Sequence, residues 1–482
     1  MRTNPTDDTM TLASVPRYGT VTPIHRGDRA VVLGSGMAGL LAARVLSDFF
    51  DHVTVLERDG EGPDPTPRRG VPQGAHPHVL LEAGRVTIED LVPGFTEELQ
   101  AAGGQRVDGR ADLHMFAEGA LLAPAVTDRV AYFASRPLYE QTLRRRIQAL
   151  SSVTIEYDTQ FVTYRTGDDG AVTGVQARRG RAPIDYDASL VVDAAGRTSR
   201  TPHWLESIDM PAPTLETAHI DLSYSSTTIE RPPDDRRAYF IQPTPPSAHG
   251  GTIVPIEDDR WLVTMIGYHG DQPPTDERGF RRFADGLSLS DPSAILDSAS
   301  ELAGPIVRYP FPANRRYRYD RLASVPPGLV VVGDAMASYN PIYGQGMSVA
   351  ALEAVALGHT LAAGPDAVGR RGGLSVSTDD GPAASRDGAV QPVSREIGGR
   401  CPPRWPAHRG LLRRDQHGTA AIVPVRTPGA VASDQAAGTG SGTIVTGRLR
   451  GLARWAGAHD RWAIPGDPTR ANETAESRRT DS

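Results

Sequence analysis

Three glycines, Gly34, Gly36 and Gly39, stand at G-x-G-x-x-G spacing between an apolar run, Ala30 to Leu33, and a helix-like stretch carrying Leu40, Leu41, Ala43, Val45 and Leu46. A second apolar run, Val53 to Leu56, ends in Glu57, about 20 residues downstream of the glycines, where a carboxylate can accept from ribose hydroxyls. The glycines have separate tasks. Gly34 permits a tight turn, Gly36 lets the backbone approach a pyrophosphate, and Gly39 lets helix pack on strand. The helix start adds free N–H groups and the positive end of its dipole. Strand, turn, helix, strand and terminal acid, in that order, read as a dinucleotide site.

Far downstream a second strand–loop–helix turn occurs. The run Gly328 to Val332 leads into Gly333 and Asp334, then Asn340-Pro341, Gly344, Gly346 and an Ala-rich helix. An acid directly after a strand can accept from a sugar-like polyol. A helix beginning near Gly346 presents its positive end to an electron-rich ring. The two turns can therefore clamp one extended dinucleotide, the first at its pyrophosphate and adenosine, the second at its polyol and redox ring. FAD divides in that way.

The intervening elements have to position these turns. "ASRPLYEQTLRRRIQAL", Ala134 to Leu150, carries Leu138, Leu143, Ile147 and Leu150 on one helical stripe, with Arg136 before the first-turn Pro137. Strands are expected over Thr154 to Tyr157, Phe161 to Arg165 and Val172 to Ala177, with a hairpin turn at Gly167 to Gly170. "SLVVDAAGRTSRTPHWL" ends a buried strand at Asp193 and turns at Gly196, which also suits a plain strand-end turn. From about Asp209 to Leu322 the pattern is mainly β, including a hairpin with Asp258-Asp259 at its tip, and such a sheet can wall an apolar substrate chamber. The loop Gly60 to Gly74 is rich in proline, and a helix is expected to start near His78. His76 and His78 are read either as a loop pair capping that helix or as neighbours of cofactor or substrate. No third ligand stands at metal spacing, so no metal is expected.

Composition removes several chemistries. The chain has 482 residues, a formal charge of -7 and no dense basic stripe, which argues against nucleic acid. Its one cysteine, Cys401, excludes an internal disulfide and thiolate-rich metal sites. There is no lysine, so Schiff-base, Walker and halogenase-type lysines are all excluded. The N-terminal segment lacks a signal-peptide core, and no run reaches the roughly 20 apolar residues of a spanning helix. A cytoplasmic protein is expected.

Three motifs resemble those of the flavoprotein monooxygenases of the para-hydroxybenzoate-hydroxylase fold: "GSGMAG" with Glu57-Arg58, "DAAGRTSR", and "GDAMASYNPIYGQGMS". The histidine usual in the third is absent, with Ala337 or Ser338 in its region, which argues against a close aromatic hydroxylase. "RRGVPQGAHPHVLL", "ASRPLYE", "GRTSRTPHWL", "VPIEDDRWLVTM" and "ANRRYRYDRL" bring the chain nearer to the actinobacterial olefin epoxidases of polyether biosynthesis.

The resemblance implies an α/β fold, a Rossmann-like FAD-binding domain of glutathione-reductase type with an inserted, mainly β substrate domain. In the first turn it assigns Gly34, Ser35, Gly36, Met37, Ala38 and Gly39 to the cofactor, followed by Glu57 and Arg58. Arg136, Asp193 and Gly196 come from the middle of the chain. Gly333, Asp334, Pro341, Gly344, Gly346 and Met347 complete the set. Tyr343, His78 and Arg69 are candidates for the surroundings of the ring, and no catalytic residue is named.

The implied activity is oxygen insertion from O2 into a hydrophobic metabolite through a flavin C4a-hydroperoxide, as epoxidation or hydroxylation in secondary metabolism. NADPH or NADH would supply electrons, directly or through a flavin reductase. The alternatives are a reductase or dehydrogenase of the geranylgeranyl-reductase type and a non-catalytic FAD-binding protein. The expected organisation is a disordered leader over 1–28, FAD-binding segments at 29–208 and 323–365, and a β substrate domain at 209–322. The tail, 366–482, is rich in Gly, Ala, Arg and Pro and has the composition of a disordered segment or of a GC-rich gene read in a shifted frame.

Overall fold

Runs that are apolar on both faces form strands covered on both sides, and four such runs make up all but one edge strand of the central sheet. In the computed structural model, which describes residues 10–12, 15–62, 65–109, 111–117, 119–122, 130–243, 247–364, 410–414 and 420–424, this sheet is five-stranded and parallel. Its order is Val153–Glu156, Phe50–Leu56, Gly27–Leu33, Leu190–Asp193, Leu329–Val331. Register explains how distant motifs meet. Asp193 lies opposite Leu33 on one side and Val331 on the other, and Leu33 lies opposite Leu56. The turns after these four strands therefore emerge side by side at the carboxyl ends, where open α/β sheets bind ligands.

The helix Met37–Leu46 packs on the sheet and against the helices Arg136–Gln148 and Gly346–Ala363. A Cβ on Gly39 would stand 1.9 Å from the Gly34 carbonyl oxygen, so only glycine permits this helix–strand approach. Gly346–Ala363 is long and apolar enough to cross a membrane, yet it is a core helix, buried along most of its length.

The second large element is an eight-stranded sheet in the order Ala337–Ser338, Val307–Tyr317, Leu215–Glu230, Arg260–Gly267, His249–Ile256, Ala238–Ile241, Leu113–Ala117, Ala120–Leu121. The hairpin at Asp258-Asp259 turns through positive φ at both residues. The short helices Glu277–Asp285 and Asp291–Ser298 bury Phe280, Ile295 and Leu296 with Ile229, Val263 and Met265 of this sheet. The sheet draws strands from beyond residues 209–322, since Leu113–Ala117 extends it in parallel and Ala337–Ser338 closes its other edge. A three-stranded antiparallel sheet, Thr159–Thr166, Val172–Arg179 and Ala182–Asp187, completes the expected hairpin region.

Two expectations change. No helix begins near His78: His78–Val79 is a short strand opposite Phe133 and Ala134, and the helix starts at Glu82. Two-residue pairing holds His78 and Val79 in extended backbone and delays the helix. Part of the leader is ordered, with Val15–Pro16 paired to Met10–Leu12 and a 3-10 turn at Tyr18–Thr20. Tyr18 is buried and its hydroxyl donates to Asp48 Oδ2 at 2.7 Å. The tail lies outside the described residues apart from an antiparallel hairpin of Gly410–Arg414 and Ala420–Pro424.

Candidate functional site

Sixteen of the seventeen cofactor-assigned residues line one cavity of about 460 Å³; the exception is Gly39, whose place is the helix–strand contact. The two glycine turns touch. Gly333 has φ +64°, and a Cβ there would lie 2.8 Å from the Cβ of Ala38.

One end of the cavity is dense with charge. Glu57 Oε2 accepts from Ser35 N at 3.0 Å, Ser35 Oγ at 2.6 Å and Arg68 Nη1 at 2.7 Å. Its Oε1 accepts from Asp59 N at 2.9 Å and keeps a lone pair that a ribose hydroxyl could use. Arg68 Nη2 donates to Glu140 Oε2 at 2.6 Å, while Glu140 Oε1 accepts from Arg136 Nε at 2.8 Å. Arg144 Nη2 stands 3.7 Å from the same Glu140 carboxylate. Burial alone would raise both carboxyls. For Glu57, Arg68 and the Ser35 and Asp59 donors outweigh it, and the group titrates below its ordinary value. For Glu140, Arg136 and Arg68 outweigh it and the pKa falls to about 2.

The residues here suit a dinucleotide diphosphate. Three guanidiniums face two carboxylates, so a net positive charge remains beside the first turn of Met37–Leu46. A Cβ on Gly36 would meet nothing within 4 Å, so the space before that helix end is open. Arg58 is exposed and its Nη2 donates to Gly70 O at 3.3 Å. Asp193 is taken up by its own turn, accepting from Ala195 N at 2.9 Å and from the Ser199 and Thr201 hydroxyls at 2.5 Å each. That geometry favours the strand-end-turn reading for its side chain.

The other end is shaped by the second turn. Gly333 N donates to Glu353 Oε2 at 2.7 Å, tying the turn to the buried helix behind it. Burial raises the Asp334 carboxyl against the opposing pull of Arg136 and Arg197. Burial also pushes Glu353 up to about 8, with the Gly333 N–H acting against it and Asp334 adding to it. Asn340 Oδ1 accepts from Ile342 N at 3.1 Å and, with Gly344 at φ +62°, sets the loop that enters the helix at Gly346. Arg197 lies 4.5 Å above the Phe311 ring and its Nη1 donates to Ser338 Oγ at 2.7 Å.

Beyond this loop the cavity is walled by the large sheet. His76 is 3% exposed, its Nδ1 lies 2.6 Å from Ser226 Oγ, and its ring sits 5.6 Å from Tyr309 and 6.0 Å from Tyr224. His78 Nδ1 lies 2.9 Å from His76 O. Burial drives both imidazoles down, His76 to about 4 and His78, with Arg136 nearby, to about 3, so both are neutral near pH 7. Both histidines and Tyr343 line the cavity, whereas Arg69 is exposed and does not. The inward arginine of the pair is Arg68. Sequence reading missed it because its partners Glu57 and Glu140 lie 11 and 72 positions away; Glu140 and Arg144, which join it, were missed although Arg136, Glu140 and Arg144 stand at i, i+4 spacing on one helix. Among the described residues, one exposed trio, His25, Asp28 and Asp51, holds its ligand atoms within 4.8 Å of one another.

Comparison with known proteins agrees with this geometry. The profile of the FAD binding domain family matches residues 29–374. Protein Rv3254 of Mycobacterium tuberculosis is 37% identical over 340 residues, covering 68% of this chain and 71% of that protein. Among solved structures, pqsL of Pseudomonas aeruginosa, a probable FAD-dependent monooxygenase, superposes with a TM-score of 0.54 at 18% identity, over 70% of this chain and 86% of that one. The flavin-dependent brominase Bmp2 gives 0.52 at 17% identity, over 70% and 79%. A flavoprotein/dehydrogenase from Cytophaga hutchinsonii gives 0.52 at 18%, over 70% and 78%. At these identities the likeness is one of fold.

Proposed function

The chain belongs to the FAD binding domain family, and from that premise we propose that it is an FAD-dependent monooxygenase, inserting one atom of O2 into an apolar metabolite by alkene epoxidation or hydroxylation. The observation that carries the reading is a single cavity with two unlike ends, a charge-rich end beside the G-x-G-x-x-G turn and a sheet-walled chamber beyond the Gly346 helix start. Bound FAD would supply the redox chemistry, accepting two electrons that originate from NADPH or NADH and using them with O2, so that one oxygen atom enters the substrate and the other leaves as water.

The residues present do the rest. Arg68 and Arg136, with Arg144 buried behind them, would provide the positive surplus for the diphosphate, and Gly36 would leave room for it. Asp334 would be placed to accept from the polyol, and the N–H groups at the start of Gly346–Ala363 would stabilise negative charge on the reduced ring. Tyr224, Ile266, Tyr309 and Phe311 keep water out of the chamber. No general acid or base is required, which accords with two neutral histidines. The missing lysine disfavours halogenation.

The test is a visible spectrum of the purified chain, anaerobic photoreduction, then mixing with oxygenated buffer and an alkene-rich substrate panel. Near-stoichiometric flavin bands, O2 uptake and an oxygenated product are expected. Anaerobic reduction of an alkene, with no oxygen incorporated, would replace this reading by a reductase. A yellow protein that turns over nothing would replace it by a binding role.

A further inference from the structure

Five strands of the large sheet carry one row of residues in register, and four of the five line the cavity. Ser226 lies opposite Thr264, Thr264 opposite Thr252, Thr252 opposite Phe240, and Phe240 opposite Met115. Residues paired in this way share a face of the sheet. Three of its five residues carry hydroxyls and two are apolar. Ser226 Oγ and Thr264 Oγ1 are 2.5 Å apart, and Ser226 Oγ also holds His76 Nδ1. The chain of bonds then stops. His76 Nε2 and Thr252 Oγ1 are both buried, both belong to cavity-lining residues, and neither has a partner.

Buried polar atoms in a folded protein are nearly always paired, so two orphans on residues that line one cavity call for an explanation. Their surroundings restrict it. The charged residues lining the cavity, such as Arg68, Arg136 and Asp334, belong to the turns and helix starts of the FAD-binding region, while the sheet face offers Tyr224, Ile266, Phe240 and Met115. The row itself offers no counter-ion to a carboxylate or ammonium group docked on it, and Arg197, which lies over Phe311, already donates to Ser338 Oγ and the Ala313 carbonyl. His76 is neutral, so it offers one hydrogen bond and no charge.

We propose that the chamber selects apolar substrates carrying an uncharged oxygen function, hydrogen-bonded at His76 Nε2, with Thr252 Oγ1 as a second docking point along the same row. The proposal rests on the monooxygenase reading of this cavity and names the substrate class for it. Ser226 and Thr264 are positioning residues, since they fix the imidazole through Nδ1. When Nδ1 donates to Ser226, Nε2 accepts from a substrate hydroxyl; when Nδ1 accepts, Nε2–H donates to a carbonyl or hydroxyl. An alcohol satisfies either tautomer, and a ketone only the second.

The experiment uses the FAD-loaded full chain and three probes with one carbon skeleton, limonene, carveol and perillate, titrated by calorimetry. His76→Phe is expected to weaken carveol about tenfold, the size of one lost hydrogen bond, and to leave limonene within twofold. Thr252→Val is expected to weaken carveol about threefold. Equal losses for limonene and carveol, no loss in either variant, perillate binding as tightly as carveol, or no carveol binding would each overturn the proposal. If His76→Phe does not fold, Thr252→Val against the limonene control decides. The flavin spectrum is read separately. A colourless protein defeats the function proposed above, while the carveol-to-limonene comparison still reports on the row.

Discussion

Glu57 at one end of the cavity and Glu140, joined to it through Arg68, are almost wholly buried, and every carboxylate oxygen has a donor. At the other end His76 Nε2 and Thr252 Oγ1 are as deeply buried and have none. Burial is the same; the accounting of hydrogen bonds is opposite. A site for an invariant ligand can complete its own network and leave a fixed charge surplus, as the Arg68, Arg136 and Arg144 cluster does. A site that waits for a substrate has to hold part of its hydrogen-bonding capacity open, at a cost in stability of the free protein. The ionisable groups follow the same division. Carboxyls at the nucleotide end are pulled down, Glu140 to about 2, whereas Glu353 behind the second turn is pushed up to about 8.

The largest effect expected from this contrast is at Arg68. Arg68→Met removes the guanidinium shared by Glu57 and Glu140, leaving two buried carboxylates short of a counter-ion. A loss of about 3–5 kcal/mol at pH 7 is expected by urea denaturation, together with weaker FAD retention. The pH dependence has a definite sign. Glu140 is depressed in the fold, so the stability it contributes is present above the unfolded carboxyl value and is lost as pH falls towards 2. The variant has less of this to lose, so its deficit should narrow between pH 7 and pH 4. A deficit that stays constant over that range would remove charge from the explanation.

Glu353 offers a smaller, opposite test. Its folded pKa is raised, so between about 4.5 and about 8 the folded chain keeps a proton that the unfolded chain has released. Stability therefore falls as pH rises through that window. Glu353→Gln keeps an oxygen to accept from Gly333 N and removes the titration. With saturating FAD, it should match the parent near pH 4.5 and exceed it by a few kcal/mol at pH 9, the order set by the size of the shift. Parallel stability–pH curves for the two proteins would show that Glu353 is charged in the fold, and the two ends would then treat carboxyls alike.

The same division governs what was legible in the sequence. The first turn could be read residue by residue, because Gly34, Gly36, Gly39 and Glu57 owe their roles to local geometry within one strand–helix–strand unit. Their meeting with Asp193 and Gly333 followed from strand patterning once the sheet was parallel. Arg68 and Glu140 were not legible, since a contact across 72 positions leaves no local pattern, and attention fell on the neighbouring Arg69. The strand at His78 was missed because two residues paired with Ala134 and Phe133 carry no periodicity of their own. The row Ser226, Thr264, Thr252 was visible only as alternation in separate strands; cross-strand register turns it into a continuous polar stripe.

Thr252→Val is the smallest expected effect and the most direct test of the contrast. Threonine and valine are both β-branched and suit a strand equally, so backbone preference changes little. The hydroxyl lost is one with no partner, and removing an unpaired buried oxygen relieves a desolvation cost instead of breaking a bond. Stability should stay within about 0.5 kcal/mol or rise by up to about 1 kcal/mol, while carveol affinity falls. Polar-to-apolar replacement thus destabilises at Arg68 and is neutral or stabilising at Thr252, within one cavity. A loss above about 1 kcal/mol at Thr252, measured in the same denaturation series, would mean that its hydroxyl is already paired in the free protein, and the chamber would then be as complete as the nucleotide end.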